Sequence, residues 1–175
     1  MTRPLRATTR AAAPGTPGTP SHEDAAGLAD LLDRAEIGGL LDRYLLDFDS
    51  RPDPPRDDSF YRSLFTEDLD LRFPVGGHRG LAGLAQFQHA AKRNWARTHH
   101  ASTNHVVELL GDRAEVSAKL LVTHVHPPLS GRADLRTGSR IEAEAVRTAD
   151  GWRLRALAIH LVWSRGDLPS GAGRR

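Results

Sequence analysis

The hydrophobic period of this chain changes once, close to Trp95, and that change limits the folds available to it. Before Trp95 the apolar residues recur at intervals of three and four, which predicts amphipathic helices. After it they alternate: every second residue from Ala114 to Val122 is apolar, and the residues between them are mostly polar. Such alternation indicates half-buried β-strands. Helices followed by long antiparallel strands predict a segregated α+β fold rather than a βαβ fold.

Three helices and a brief strand are predicted before the period changes. The first helix lies within residues 22–48 and carries two capping-box spacings. Its Gly38-Gly39 pair suggests a close contact with another helix, and Arg51-Pro52 disfavours helix beyond it. The remaining elements are a short helix from Asp58 to Phe65, a strand from Leu69 to Phe73, a glycine turn at residues 76–80 and a helix from Leu81 to Trp95.

Long strands are predicted after the change. In the first of them, Asn104 is expected on the same face as His100, because the two are four residues apart. In the next, His124 is expected on the inward face. Asp150-Gly151 is a favoured short-turn pair and predicts a closing hairpin, with strands over residues 138–148 and 152–163. A curved sheet that closes over the long first helix would leave a cavity between them.

The composition excludes several functional classes. The formal net charge is only +2, and no basic stripe is interleaved with aromatic residues, so nucleic acid is not an expected partner. Cysteine is absent, which excludes disulfides, thiolate catalysis and zinc–thiolate sites. No apolar run approaches the ~20 residues of a membrane span, and the N-terminus has no apolar core of a secretory signal. We therefore expect a cytoplasmic protein without membrane contact.

The ends of the chain differ in composition from its middle. Residues 14–20 form a Pro/Gly run that cannot hold a helix or join a sheet interior, so residues 1–22 are expected to be a disordered leader. A disordered tail is expected over residues 167–175. A single folded domain is expected between them, over residues 23–166.

Short motifs then follow one another in an order that is typical of a known family. They are Leu41-Asp42-Arg43-Tyr44 with Asp49, Leu64 to Asp68, Arg79-Gly80, Thr98-His99-His100 with Asn104, and Val146 to Arg153 with Trp163. Over roughly residues 30–165 the chain resembles SnoaL-like (polyketide cyclase and dehydratase-like) proteins of the nuclear-transport-factor-2-like superfamily. The resemblance implies a cone: a curved antiparallel or mixed sheet wrapped around a long N-terminal helix and two shorter helices, enclosing a pocket.

The resemblance also implies a catalytic histidine at His100, because dehydratases of the family carry a cavity histidine at this motif position. An imidazole titrates near neutrality, so it can take a proton from carbon and return one to a leaving hydroxyl. By the same resemblance Asp49 orients that imidazole, and Tyr44 is placed to donate to a substrate oxygen. On a continuous helix Tyr44 and Asp49 point about 140° apart, so both line one pocket only if the helix ends or bends between them. The alternatives are a core histidine, a helix-end aspartate and a core tyrosine.

Six further residues are expected to contact a substrate: Phe48, Phe73, Trp95, Asn104, Leu120 and His124. Asn104 has a structural alternative, holding a neighbouring strand or loop, and the face on which His160 lies depends on the strand register. Inward apolar residues stand where dehydratases of the family carry polar groups, which makes this pocket more apolar than theirs; they are Leu120, Val122, Ile141 and Ala143.

Three functions remain open at this level. The first is a cofactor-independent lyase, isomerase or cyclase that uses a His–Asp pair on a hydrophobic, oxygenated, polyketide- or steroid-like molecule. The second is a non-catalytic pocket in a ligand carrier or a dimeric accessory protein. The third is a metal site built on the H-x-H of His124 and His126, but no Glu completes the usual pattern, and we expect no metal and no cofactor.

A homodimer is the expected assembly. Apolar residues predicted on the outer face of the sheet exceed what a solvated face needs. They are Leu121, Val125, Leu157 and Leu161. The expected partners are therefore a hydrophobic small molecule and a second copy of the chain.

Overall fold

Six strands form one curved, unclosed sheet, and a long helix packs against its inner face. The computed structural model describes residues 22–50 and 56–168. Its helices are α1 (His22–Ser50), α2 (Asp58–Arg62) and α3 (Leu84–Lys92). Its strands are β1 (Phe65–Phe73), β2 (Gly76–Arg79), β3 (Arg97–Leu110), β4 (Arg113–Val125), β5 (Leu135–Thr148) and β6 (Gly151–Arg165). The strand order is β2-β1-β6-β5-β4-β3.

Among the strands of residues 22–50 and 56–168, one pair of neighbours is parallel. β1 and β6 run in the same direction, and the other four neighbouring pairs are antiparallel. The sheet is thus mixed, and the helices precede the long strands, so the predicted α+β class with a long first helix is confirmed.

The core lies between α1 and the inward residues of the sheet. Leu40 and Leu41 of α1 are fully buried, and so is Ile141 of β5. The predicted inward face of β4 is confirmed, because each alternate residue from Ala114 to Val122 is buried. Each buried Val or Leu side chain on this face stabilises the fold by about 1.5–3 kcal/mol.

Carboxylates hold α1 against the closing hairpin of β5 and β6. Asp33 accepts a hydrogen bond from Trp152 Nε1 at 2.9 Å and another from Arg147 at 3.0 Å. Glu36 accepts one from the Trp152 backbone N–H at 2.9 Å. These contacts fix the middle of the helix over residues that are more than a hundred positions away in sequence.

The first helix is longer than the sequence predicts. It continues through Gly38-Gly39 as far as Ser50, so the helix end that would let Tyr44 and Asp49 line one pocket does not lie between them. A Cβ on Gly38 would lie 3.9 Å from the His105 ring. Gly38 therefore faces strand β3, so the close contact of the helix at this glycine is with the sheet.

Several other elements begin or end at residues that differ from the predicted ones, because the pairing of strands outweighs the turn preference of the local sequence. The predicted glycine turn contains strand β2, which pairs with β1. The helix predicted from Asp58 ends at Arg62, and β1 begins at Phe65 instead of Leu69. The third helix covers Leu84–Lys92 only, after Gly83 in the left-handed region.

Of the register shifts in the described part of the sheet, one in β3 and one in β6 place residues on a face other than the predicted one. In β3 the register shifts between Thr103 and Val106, and Asn104 lies exposed with φ 55°. His105 takes the inward position, and its ring nitrogen lies 2.7 Å from the Ser102 hydroxyl. The prediction that Asn104 shares the face of His100 is therefore wrong, because one extra residue reverses the alternation.

The second of these register shifts lies in β6, opposite Glu144 and Ala145. It turns Leu157 into the core with 1% exposure, so the outward position predicted for Leu157 is wrong. His160 is exposed, with its Nε2 2.9 Å from Glu142. Leu161 pairs with Ser139, which pairs with the buried Leu120, so it belongs to the inner face too.

Most of the predicted leader and tail, and the loop at residues 51–55, lie outside the described residues. Asp167 is described: its backbone N–H donates to Ala133 and its carboxylate accepts from the Ala133 N–H. In the described part of the chain, no helix combines the length and apolar character that crossing a membrane requires.

Gly77 provides a test of the β1–β2 pairing. A Cβ at this position would lie 2.3 Å from the Leu71 carbonyl oxygen, and that oxygen belongs to the backbone. We expect Gly77→Ala to lower the free energy of unfolding by about 1–3 kcal/mol in urea titration. Gly27→Ala is the control, because a Cβ on this helical glycine meets nothing within 4 Å, and it should be neutral or stabilising. Equal effects of the two substitutions would contradict the pairing.

Candidate active site

A carboxylate in the last turn of α1 is bound to a histidine at the start of β3. Asp49 Oδ1 lies 2.7 Å from His100 Nδ1, and Oδ2 accepts the His100 backbone N–H at 2.7 Å. The Thr98 hydroxyl donates to Oδ1 at 2.7 Å. Thr98 and His100 lie on one face of the strand, so the alternation of β3 presents both to the same carboxylate.

These hydrogen bonds decide the charge of Asp49. Burial is the largest single influence and favours the neutral acid, but the bonds from the His100 ring, the His100 N–H and Thr98 together outweigh it. They lower the pKa of Asp49 from 3.8 to about 2. Because the carboxylate is ionised at neutral pH, it requires a proton on Nδ1 of His100, and a neutral imidazole then carries its lone pair on Nε2.

Aromatic side chains surround this pair. The ring of Phe48 meets His100 edge-on at 5.2 Å, and the His124 ring lies 5.9 Å from that of His100. Trp95 packs between His124 at 4.5 Å and His126 at 4.8 Å. The structure therefore brings together five predicted site residues, from α1, β3, β4 and the segment before β3.

His124 is held in its neutral form. Burial, followed by the nearby His100, lowers the pKa of His124 from 6.5 to about 4. Its Nδ1 is buried and has no hydrogen-bond partner.

The other predicted site residues lie elsewhere. The Tyr44 hydroxyl accepts a hydrogen bond from Gln88 at 2.7 Å, and burial raises the pKa of Tyr44. Because α1 is continuous, Tyr44 points into the core in a different direction from Asp49, so the structure does not pair them. Phe73 stacks on Phe87 at 6.1 Å in a second aromatic group, and Leu120 is buried in the core.

A buried ion pair beside the site is absent from the sequence-based expectations. Lys92 Nζ donates to the carboxylate and the carbonyl of Asp47, at 2.8 Å each. The Tyr61 hydroxyl also donates to this carboxylate at 3.0 Å, and Arg56 approaches it at 3.3 Å. The sequence does contain a pattern that indicates Lys92. Every fourth residue of α3 is buried, and the stripe consists of Leu84, Gln88 and Lys92, so two of its side chains are polar.

The H-x-H pair does not form a metal site. His126 Nε2 lies 2.8 Å from the Asp167 carbonyl, and its backbone N–H donates to Asp134. Within residues 22–50 and 56–168, no group of three or more His, Cys, Asp or Glu side chains is arranged to hold a metal ion.

Comparisons with known proteins agree with this fold. The sequence model of a family described as "SnoaL-like domain" matches residues 29–158. The Kfla4162 protein from Kribbella flavida is 29% identical with a TM-score of 0.66, and the match covers 78% of this chain and 95% of that one. None of the curated proteins compared with this chain matches it.

Two further solved structures share the fold at lower identity. A type 3 hexachlorocyclohexane dehydrochlorinase from Novosphingobium barchaimii is 18% identical with a TM-score of 0.68, covering 83% of this chain and 95% of that one. A candidate scytalone dehydratase from Novosphingobium aromaticivorans is 16% identical with a TM-score of 0.65, covering 84% and 97%.

The buried ion pair should be important for stability. Lys92→Met leaves the Asp47 carboxylate buried without its closest cation, and we expect the free energy of unfolding to fall by about 3–5 kcal/mol in urea titration. Lys119→Met is the matched control, because Lys119 lies on the exposed face of β4, and it should change stability by less than about 0.5 kcal/mol. Similar losses in the two variants would contradict the role of the pair.

The environment of His124 should appear in the pH dependence of stability. The pKa of His124 is lower in the folded protein than in the unfolded chain, so protonation favours the unfolded chain. The free energy of unfolding is therefore highest above pH 6.5 and decreases as the pH falls towards 4. We expect wild type to lose about 2 kcal/mol more than His124→Gln between pH 7 and pH 5, measured by urea titration at each pH. Parallel losses in the two proteins would show that His124 is not held neutral.

Proposed function

This chain belongs to the SnoaL-like domain family, and from that premise we propose that it is a cofactor-independent enzyme with His100 and Asp49 as its acid–base pair. The observation that carries the proposal is the contact at 2.7 Å between the Asp49 carboxylate and His100 Nδ1. It leaves Nε2 of the same ring as the basic nitrogen of the site. The proposed substrate is a hydrophobic, oxygenated small molecule of polyketide or steroid type.

The proposed reaction begins with a proton transfer from carbon. His100 Nε2 takes a proton from a carbon beside an electron-withdrawing group, and the imidazolium that forms is stabilised by the Asp49 carboxylate. The electron pair of the broken C–H bond forms a new double bond as a group leaves the adjacent carbon. The imidazolium then returns its proton to the departing oxygen, so that His100 ends as it began.

Among lyase, isomerase and cyclase chemistry, we favour elimination. The two solved structures of low identity carry the names of a dehydrochlorinase and a candidate dehydratase, and both names denote loss of a small group next to a carbon that loses a proton. A His–Asp pair serves either reaction, since neither requires the protein to supply an electron acceptor. The leaving group is a hydroxyl, which departs as water with the proton from His100, or a halide, which departs as the anion while His100 releases its proton to solvent.

The walls of the site support a hydrophobic substrate. Phe48 and Trp95 present aromatic rings next to His100 and His124, and aromatic walls favour flat, apolar molecules. The neutral His124 provides a hydrogen-bonding nitrogen in that wall. We propose that it contacts a substrate oxygen.

A non-catalytic ligand-binding protein is the second candidate function. The observation that favours it is the apolar inner face of the sheet, where Leu120, Ile141 and Ala143 are buried. Such a protein would bind the same class of molecule without converting it.

The test combines ligand binding with turnover. Wild type and His100→Ala are screened by thermal shift against aromatic polyketides, steroids, lactones and chlorinated cyclic hydrocarbons, and compounds that stabilise either protein are assayed for conversion. We expect His100→Ala to bind a substrate but to convert it about 10²–10⁴-fold more slowly. Asp49→Asn should also lose turnover, because an amide does not stabilise the imidazolium.

His160→Ala is the matched control for the histidine substitution. His160 is exposed and bound to Glu142, so its loss should leave binding and turnover unchanged. If a compound stabilises wild type and His100→Ala equally and neither converts it, the second candidate function is supported for that compound. If His100→Ala converts it at the wild-type rate, the acid–base role of His100 is wrong.

A further inference from the structure

Helix α1 has apolar residues on two opposite sides. One side faces the core through Ile37, Leu40, Leu41 and Tyr44, which are all buried. With 100° between successive residues, a second apolar stripe lies on the far side of the helix. We call this stripe the outer ridge; it consists of Leu28, Leu32, Ala35, Gly39 and Leu46.

The leucines of the outer ridge are exposed to solvent. Leu28, Leu32 and Leu46 are 58%, 62% and 64% exposed. Single exposed leucines are common, but three on one stripe of one helix form a continuous apolar surface, and such surfaces usually bind a partner. A groove of about 540 Å³ runs beside the ridge and is lined by Gly39 and Leu46 and, opposite them, by Asp150 and Arg153.

The ridge is complementary to itself when two helices lie antiparallel. Gly39 is the midpoint between Leu32 and Leu46, with seven residues on either side. If two copies of α1 cross at Gly39, Leu32 of each copy lies beside Leu46 of the other. The same arrangement brings Glu36 of each copy close to Arg43 of the other, and both side chains are exposed.

Gly39 also allows the close approach that this crossing requires. A Cβ on Gly39 would meet nothing within 4 Å, so no atom of its own chain fills the space. Helices with a small residue at the crossing pack about 8–10 Å apart, which leaves about 4–5 Å between their Cα atoms there.

We propose that the outer ridge of α1 is a homodimer interface, occupied by the same ridge of a second copy of this chain. The proposal concerns residues other than Asp49 and His100, although Leu46 lies about one helical turn from Asp49. It is therefore independent of the proposed function.

The outer face of the sheet is the alternative self-association surface. A groove of about 450 Å³ on that face is lined by five acidic residues and one basic one. They are Asp70, Glu108, Glu115, Glu142, Glu144 and Arg72. Arginines pair with most of these carboxylates: Arg113 and Arg155 with Glu144, Arg140 with Glu142, and Arg72 and Arg79 with Asp70. The charge of this face is therefore largely balanced, and cross-linking decides between the two surfaces.

The test uses the absence of cysteine from the sequence. Full-length Gly39→Cys carries a single thiol, and in the proposed dimer the two thiols meet at the crossing within the Cα distance of a disulfide. Under mild oxidation we expect most of this variant to become a covalent dimer on a non-reducing gel. Leu28→Cys is the control on the same ridge, because its two copies would lie about 33 Å apart and should cross-link slowly.

Sedimentation of reduced protein tests the interface without a cross-link. Wild type should dimerise with rising concentration, and Leu46→Glu should raise the dimer dissociation constant about tenfold or more, because a carboxylate enters an apolar contact. Leu46 is exposed in the single chain, so this substitution should leave the melting temperature of the monomer unchanged.

Three outcomes would overturn the proposal. The first is cross-linking of Gly39→Cys no faster than that of Leu28→Cys. The second is a wild-type protein that stays monomeric at every concentration. The third is faster cross-linking of Leu121→Cys, whose side chain lies on the outer face of the sheet, because it would place the interface there.

Discussion

The structure depends on how the last turn of α1 is held in place. Two nearby carboxylates bind it to different parts of the protein. Asp47 is bound to Lys92 of α3 and Tyr61 of α2, and Asp49 is bound to His100 and Thr98 of β3. The first set closes the helical layer, and the second joins that layer to the sheet. A helix end left without such partners would expose its last carbonyls and fray. Here the Asp47 carbonyl itself accepts from Lys92, so the end is both capped and positioned.

Three histidines near this end show how position controls the chemistry of one residue type. The imidazole of His100 faces a carboxylate, His124 is buried with an unsatisfied nitrogen, and His126 is bound to a backbone carbonyl. Only His100 has a negative charge beside it that would stabilise a proton gained during a reaction. The neighbouring neutral His124 does not repel that proton as a second imidazolium would.

Period and motif order in the sequence were sufficient to predict the α+β class, the inward face of β4 and the association of Asp49 with His100. They failed at Asn104 and Leu157, because a bulge adds one residue and reverses every face that follows it. The alternation of apolar and polar residues does not indicate where a strand contains that extra residue. The Lys92–Asp47 pair was missed for another reason: its partners are 45 residues apart and meet only after three elements have packed. Tyr44 was misplaced because the helix end that would have turned it towards Asp49 does not occur before Ser50.

The one parallel pair of strands affects the order in which the protein can be assembled during synthesis. Leu71 of β1 lies beside Leu157 of β6, and all the other long strands are synthesised between them. A ribosome therefore releases β1 long before its inner neighbour exists, while its short neighbour β2 follows at once. Closing so long a loop delays folding, since the entropy of the connecting chain is lost before the pairing is gained. The sheet is completed only when its last strand enters between β1 and β5, and until then both of these strands have an open edge that other chains can pair with.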